Sequence, residues 1–203
     1  MNIYFTRHGE SEANIENVIS NRDLIHPLTQ TGREQAANLA EHLIDSGITG
    51  VFCSPIQRAV ETAVIIGAIL KVPVAKADAL SEFDCGIMEG RSDEKAWFEV
   101  GRAVRTWLEK GDLDFRIQDG ESCHEVQDRF FVFVNRLIQL GGNETYLLIS
   151  HGGTLRLTIP FLFQNLPSTL YQDHFFGYTD YANAEVVGGK LICREWCGQK
   201  MFS

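Results

Sequence analysis

The stretch Ile3-Tyr4-Phe5-Thr6-Arg7-His8-Gly9-Glu10 sets the reading of the whole chain. Its first four residues are apolar or β-prone and read as a buried strand. A guanidinium and an imidazole follow at once, then a glycine. Open α/β sheets place their ligand crevice at the carboxyl ends of their strands. Arg7 offers a planar fork for phosphate or carboxylate. His8 offers a nitrogen that attacks or shuttles a proton near neutral pH. Gly9 lets the backbone turn sharply and approach a ligand closely. The stretch reads as an anion site with a candidate nucleophile.

The same layout returns late in the chain. Tyr146-Leu147-Leu148-Ile149 is the clearest buried strand, and it runs into Ser150-His151-Gly152-Gly153. A third short strand, Val51-Phe52-Cys53, leads into Ser54-Pro55, read as an N-cap and a first-turn proline. The helix after it runs to about Leu70 and carries Arg58 in its first turn, where helix N-termini already favour anions. Strands alternate with helices, which implies an α/β fold with a mostly parallel sheet and helices on both faces. Right-handed crossovers bring the three strand ends out on one side. Arg7, His8, Arg58 and His151 would then converge on one crevice.

Between these landmarks the elements are ordinary. Residues 9–30 form a long polar loop. Thr31 to Glu34 has capping-box form and opens a helix that Gly47 ends. Val72 to Ala75 reads as a strand, and Leu80 to Gly90 as an acidic, glycine-broken loop or short helix. Glu94 to Glu109 is an amphipathic helix. Ser122 and Glu125 form a second capping box ahead of a long core helix ending at Gly141-Gly142. Leu155 to Phe163 is a helix limited or kinked by Pro160. Tyr181–Val187 and Lys190–Trp196 flank Gly188-Gly189 as a hairpin. No linker, repeat or low-complexity stretch divides residues 1–203, so the expectation is one domain, with a helical substrate wall at about 91–119.

With 203 residues, 44% hydrophobic and 22% charged, the composition is that of a soluble globular protein. A net charge of −9 argues against nucleic-acid partners and requires any anion site to be built locally. The N-terminus shows no signal pattern, and the longest apolar run, Ala63 to Leu70, is too short to span a membrane. A cytoplasmic location is expected, without membrane partners. Five cysteines, an odd number, favour free thiols. Cys193 and Cys197 lack a second Cys/His pair with zinc-like spacing, and Asn143-Glu144-Thr145 reads as a chance sequon.

Most single histidines are surface or core residues, and His26, His42, His124 and His174 are left in that class. His8 and His151 stand apart because each follows a strand and precedes glycine. Two histidines with Glu82 could ligate zinc or iron, but two arginines beside a dication would repel it while suiting a phosphate. The residues alone do not choose a general acid among Glu82, Glu89, Asp84 and Asp78. Ser11 lacks the context of a serine nucleophile.

In order, Arg7-His8-Gly9-Glu10-Ser11 with Asn14, Pro27-Leu28-Thr29-x-x-Gly32, Ser54-Pro55-x-x-Arg58-Ala59-x-x-Thr62-Ala63, Leu80-x-Glu82-x-x-x-Gly86-x-x-Glu89-Gly90, Gly120-Glu121-Ser122 and Ser150-His151-Gly152 resemble the motifs of the histidine phosphatase (phosphoglycerate mutase-like) superfamily. The resemblance covers nearly the whole chain and implies the family's three-layer fold. It implies that His8 attacks the phosphoryl group and becomes a phosphohistidine. Arg7, Arg58 and His151 would bind the oxygens, and Asn14 and the Gly152 N–H would add donors. Glu82 would serve as general acid and then base. No metal or organic cofactor is implied, and the partner is a small phosphate ester.

Within the family, the place where mutases carry a Gly-Trp pair reads Ser20-Asn21-Arg22. Ser20 can still present its hydroxyl to the substrate, and Arg22 can contact a carboxylate or second phosphate. The long insert that mutases carry after the acid loop is replaced by one helix and a short polar loop. Gly120-Glu121-Ser122-x-x-Glu125-Val126-x-x-Arg129 resembles the phosphatases. Hydrolysis is therefore favoured over a cofactor-dependent phosphoglycerate mutase, and both over a non-catalytic phospholigand sensor. Arg22, Arg91, Lys95, Arg102, Arg105 and Arg116 are basic residues of the expected substrate walls. Oligomeric state, a homodimer included, is left open.

Overall fold

The computed structural model describes residues 1–22, 24–167 and 175–201. His174 lies outside the described residues. A seven-stranded sheet has the order β3-β2-β4-β1-β5-β6-β7. The strands are β1 (Asn2–Arg7), β2 (Gly50–Cys53), β3 (Val74–Lys76), β4 (Thr145–Ser150), β5 (Tyr181–Val187), β6 (Lys190–Trp196) and β7 (Gln199–Lys200). The pairs β3–β2, β2–β4 and β4–β1 are parallel, and β5 to β7 add an antiparallel edge. Register aligns Arg7 with Ser150 and Cys53 with Ile149. Three adjacent strands thus end level, and the His8 N–H donates to the Ser150 carbonyl as the Ser54 N–H does to that of Ile149.

The helices are α1 (Glu12–Ile15), α2 (Gln30–His42), α3 (Gln57–Leu70), α4 (Glu94–Lys110), α5 (Cys123–Leu140) and α6 (Gly152–Leu162). Alternation along the central strands sorts them into two layers. Ile3, Phe5 and Leu148 pack on Phe130 and Val134 of α5 and Leu155 and Ile159 of α6. Leu147 and Ile149 face the other way, onto Ala36 and Ala40 of α2 and Ala63 and Ile66 of α3. A third cluster joins Val100, Ala103 and Trp107 of α4 to Ile19, Phe83, Val126 and Leu157, which holds α4 over the strand ends. Among the described residues no helix is long and apolar enough to cross a membrane, and all five cysteines are free.

Several boundaries differ from the sequence reading, each for a local reason. The cap of α2 is Thr29 rather than Thr31: its hydroxyl accepts from the Gly32 N–H and donates to Glu10. The helix ends at His42, before Gly47. Ser54 accepts from the Ile56 N–H, but the extended residue that caps α3 is Ile56. Lys71 adopts the left-handed conformation and closes α3, which moves the next strand from 72–75 to Val74–Lys76. The loop at 9–30 contains α1, and the acid loop contains two short 3₁₀ turns, Asp78–Leu80 and Gly86–Met88. Helix α6 starts at Gly152 instead of Leu155, with His151 as its extended cap. The Ser122 capping box and the hairpin at Gly188-Gly189 form as read.

Candidate active site

The site is built on the level ends of β2, β4 and β1. Gly9 and Gly32 make the first close approach. A Cβ on Gly9 would strike the Gly32 carbonyl, and one on Gly32 the Glu10 carbonyl. Gly9 is therefore needed for backbone packing against the start of α2. Thr62, buried on α3, accepts from the Gly9 N–H at 3.2 Å and donates to the Arg58 carbonyl at 2.7 Å. One hydroxyl thus couples the loop bearing His8 to the helix bearing Arg58.

His8 is buried, with its orientation set at both ring nitrogens. Nδ1 lies 2.7 Å from the Gly9 carbonyl, which can only accept, so Nδ1 carries the proton. Nε2 then presents its lone pair, to which Arg58 Nε–H donates at 2.9 Å. Burial, Arg58 and Arg7 hold the His8 pKa well below its ordinary value, opposed by the Gly9 hydrogen bond. The imidazole is neutral at neutral pH, the form that has a free electron pair.

Arg58 is nearly buried, and its second bond goes to the Ser20 carbonyl at 2.7 Å. Burial lowers its pKa to about 10, with Glu82 opposing and Arg7 assisting that shift, so it stays cationic. Arg7 donates to the Phe176 carbonyl and lies 4.2 Å from the centre of the Tyr178 ring. The His151 ring sits 5.0 Å from that of His8. It is fully buried, and burial, Arg58 and His8 depress its pKa strongly. Among the described residues neither His151 ring nitrogen nor Arg7 Nε has a hydrogen-bond partner. Buried polar atoms cost free energy unless satisfied, and phosphate oxygens can accept from Arg7 Nε and from the one N–H of a neutral His151.

Geometry separates the candidate acids. Glu82 lies at the start of α6, where Oε1 accepts from the Phe83 N–H, the Thr154 N–H and the Thr154 hydroxyl. Among the described residues Oε2 accepts from the Gly153 N–H alone, which leaves it further hydrogen-bonding capacity. Gly153 is required there, since a Cβ would meet Phe83 and Glu82. Glu89 instead accepts from the Asn21 and Arg22 N–H groups, and Asp84 is bound to Arg22. Arg129 holds the acid loop from below, paired with Glu121 and donating to the Ala79 carbonyl.

A cavity of about 330 Å³ opens over this set and is lined by Arg7, His8, Asn14, Ser20, Arg58, Glu82 and Gly152. The Asn14 carbonyl oxygen is taken by the Ser11 N–H and hydroxyl, which leaves its amide donors for the cavity. Ser20 is bonded to His26 at 2.9 Å. Arg22 departs from expectation: its guanidinium is bidentate to Asp84 and donates to the Asp119 carbonyl, so it does not line this cavity. Arg91, Arg102 and Arg116 are likewise paired with Asp93, Glu99 and Glu125. The walls that sequence reasoning missed are aromatic or come from α6: Phe83, Phe175, Phe176 and Arg156. Among the described residues no group of three or more His, Cys, Asp or Glu side chains is arranged to hold a metal ion.

Comparison with known proteins identifies the family. The model of the histidine phosphatase superfamily, branch 1, aligns with residues 3–197. The chain belongs to that superfamily. A probable phosphoglycerate mutase GpmB of Proteus mirabilis is 34% identical over 158 residues, covering 75% of this chain and 70% of that protein. Bacillus stearothermophilus YhfR superposes with a TM-score of 0.82 at 26% identity, over 98% of both chains. The alpha-ribazole phosphatase of Shigella flexneri gives 0.78 at 27% identity, over 97% of this chain and 96% of that one. This histidine phosphatase superfamily member thus resembles proteins named as mutases and as phosphatases.

Proposed function

We propose that the chain is a phosphomonoesterase that hydrolyses small phosphorylated metabolites through a phosphohistidine on His8. The observation that carries this reading is the His8 Nε2 lone pair, fixed beside Arg58 and next to the unpartnered nitrogens of Arg7 and His151.

The ester phosphate binds to Arg7, Arg58, His151, the Asn14 amide and the Gly152 N–H at the start of α6, with Ser20 beside it. The Arg58 N–H turns from His8 to a phosphate oxygen as the substrate arrives. His8 Nε2 attacks phosphorus, the bond to the leaving oxygen breaks, and protonated Glu82 gives its proton to the alkoxide. The cations and His151 stabilise the charge spread over the transferred oxygens. Glu82 then takes a proton from water, which attacks phosphorus, frees His8 and yields phosphate. In this reading residues 1–203 act as one unit and α4 is a wall of the leaving-group site.

The reading favours water over a second alcohol as acceptor. The span 91–119 contributes one helix and a short turn, with Trp97, Val100 and Val104 toward the cavity. The α4 residues that line the His8 cavity are thus apolar and offer no charged group there to hold a bisphosphate between two half-reactions. Phosphate release from a panel of esters, with 3-phosphoglycerate included and its isomers followed by NMR, tests the proposal. Release abolished by His8→Ala, with no 2-phosphoglycerate formed, is expected. Primer-dependent isomerisation with little free phosphate overturns it in favour of a mutase.

A further inference from the structure

We infer that Arg156 is a specificity-determining residue, reading a second negative charge at the far end of an apolar leaving group. The inference rests on the phosphatase reading and deepens it by naming the substrate class: a phosphate ester whose alcohol carries an apolar body and a distal carboxylate or phosphate.

Two cavities meet at Arg156. The first is the His8 cavity. The second, about 460 Å³, lies between α4 and α6, and its lining includes Val104, Arg105, Leu108, Glu109, Arg156 and Phe161. Val104 and Arg156 belong to both. A leaving group that outgrows the first cavity passes Arg156 as it enters the second.

The charge pattern singles out the same place. In a chain of net charge −9, seven of the twelve arginines are ion-paired to an aspartate or glutamate. Of the five with no such partner among the described residues, Arg7, Arg58, Arg105 and Arg156 line the two joined cavities. Arg7 and Arg58 serve the transferred phosphoryl group. Arg156 is solvent-accessible, its guanidinium carbon 5.9 Å from the Phe175 ring centre, and its donors are free of acidic partners. Arg105 lies 5.7 Å over the Phe98 ring and adds a second cation farther along. A planar guanidinium above an apolar channel matches a carboxylate or phosphate on an aromatic or aliphatic stem.

Non-hydrolysable probes test this apart from turnover. Calorimetry would compare phenylphosphonate with its 4-methyl, 4-carboxy and 4-phosphono derivatives, and with the corresponding biphenyl series. The wild type should bind the carboxy or phosphono member of one series about tenfold or more tightly than the methyl member, the scale of one charge-assisted contact. Arg156→Ala should erase that preference, while Arg156→Lys keeps part of it. The preferred member says whether the distal group is carboxylate or phosphate. Equal affinity for charged and methyl members in both series overturns the inference, as does an Arg156→Ala protein that weakens on all probes alike. A charge preference without hydrolysis of the matching aryl phosphates leaves the inference standing and removes the phosphatase reading.

Discussion

His8 and His151 follow adjacent strands and precede glycines, yet their surroundings differ. His8 is held at both ring nitrogens, by the Gly9 carbonyl and by Arg58. His151, equally buried, has no partner at either nitrogen among the described residues. A nucleophile needs its lone pair aimed before the substrate arrives, whereas a group that stabilises transferred oxygens finds its partner in the substrate. In the proposed mechanism the difference in hydrogen bonding, more than the shared motif, separates the roles of two similar residues.

The largest expected effect separates those roles. His8→Ala should lower kcat by about 10⁴-fold, as loss of a covalent nucleophile does, and should abolish protein labelling by a phosphorus-32 ester. His151→Ala should cost about 10²–10³-fold, as loss of one oxyanion donor does. Its quenched reactions should still contain labelled His8. Equal losses with no label in either variant would show that the two rings act as one unit.

Stability should also register the shared burial. Both histidines have native pKa values well below the ordinary 6.5. Below pH 6.5 the unfolded chain binds protons that the native ring does not, so their contribution is complete above 6.5 and is lost as pH falls. The slope is ~1.4 kcal/mol per pH unit for each histidine. Urea unfolding between pH 7.5 and 5.5 should show that decline, and His8→Asn/His151→Asn should flatten it. The smallest effect belongs to Thr62→Val, which removes the bridge between the His8 loop and α3. A cost of about 1–2 kcal/mol in stability, with a lower kcat, would show that the aim of His8 depends on that bridge. An unchanged kcat would place it in the loop alone.

The part of the site visible in the sequence was the part carried by strands. Arg7, His8 and His151 each sit within two residues of a strand end, and Arg58 is the second residue of α3. An apolar strand and a following glycine marked Arg7, His8 and His151, and Ser54-Pro55 after a strand marked Arg58. Glu82 could be chosen among neighbouring acids only through the family resemblance, because its distinguishing feature is the start of α6, more than seventy residues later. Arg22 was misplaced for the same reason: Asp84, its partner, is 62 residues away. Arg156 left no local signal, since its access to the cavity depends on how α6 packs against α4. Tyr178, over Arg7, lies in an irregular segment with no period to read. The sheet was legible as a class, mostly parallel with helices on both faces, and the hairpin as an element without its place in the sheet, while the start of α2 moved because Thr29 caps it and bonds Glu10.

The level pairing of Arg7 with Ser150 also makes catalysis a test of assembly. A slip of one residue between β1 and β4 would take Ile3 and Phe5 off the face packed on α5 and α6 and carry Arg7 and His8 away from His151. Under the proposed mechanism no misregistered chain can form the phosphohistidine, so recovered turnover after refolding would count correctly threaded molecules. Far-ultraviolet circular dichroism, which sees strand and helix content alone, would score both populations as folded.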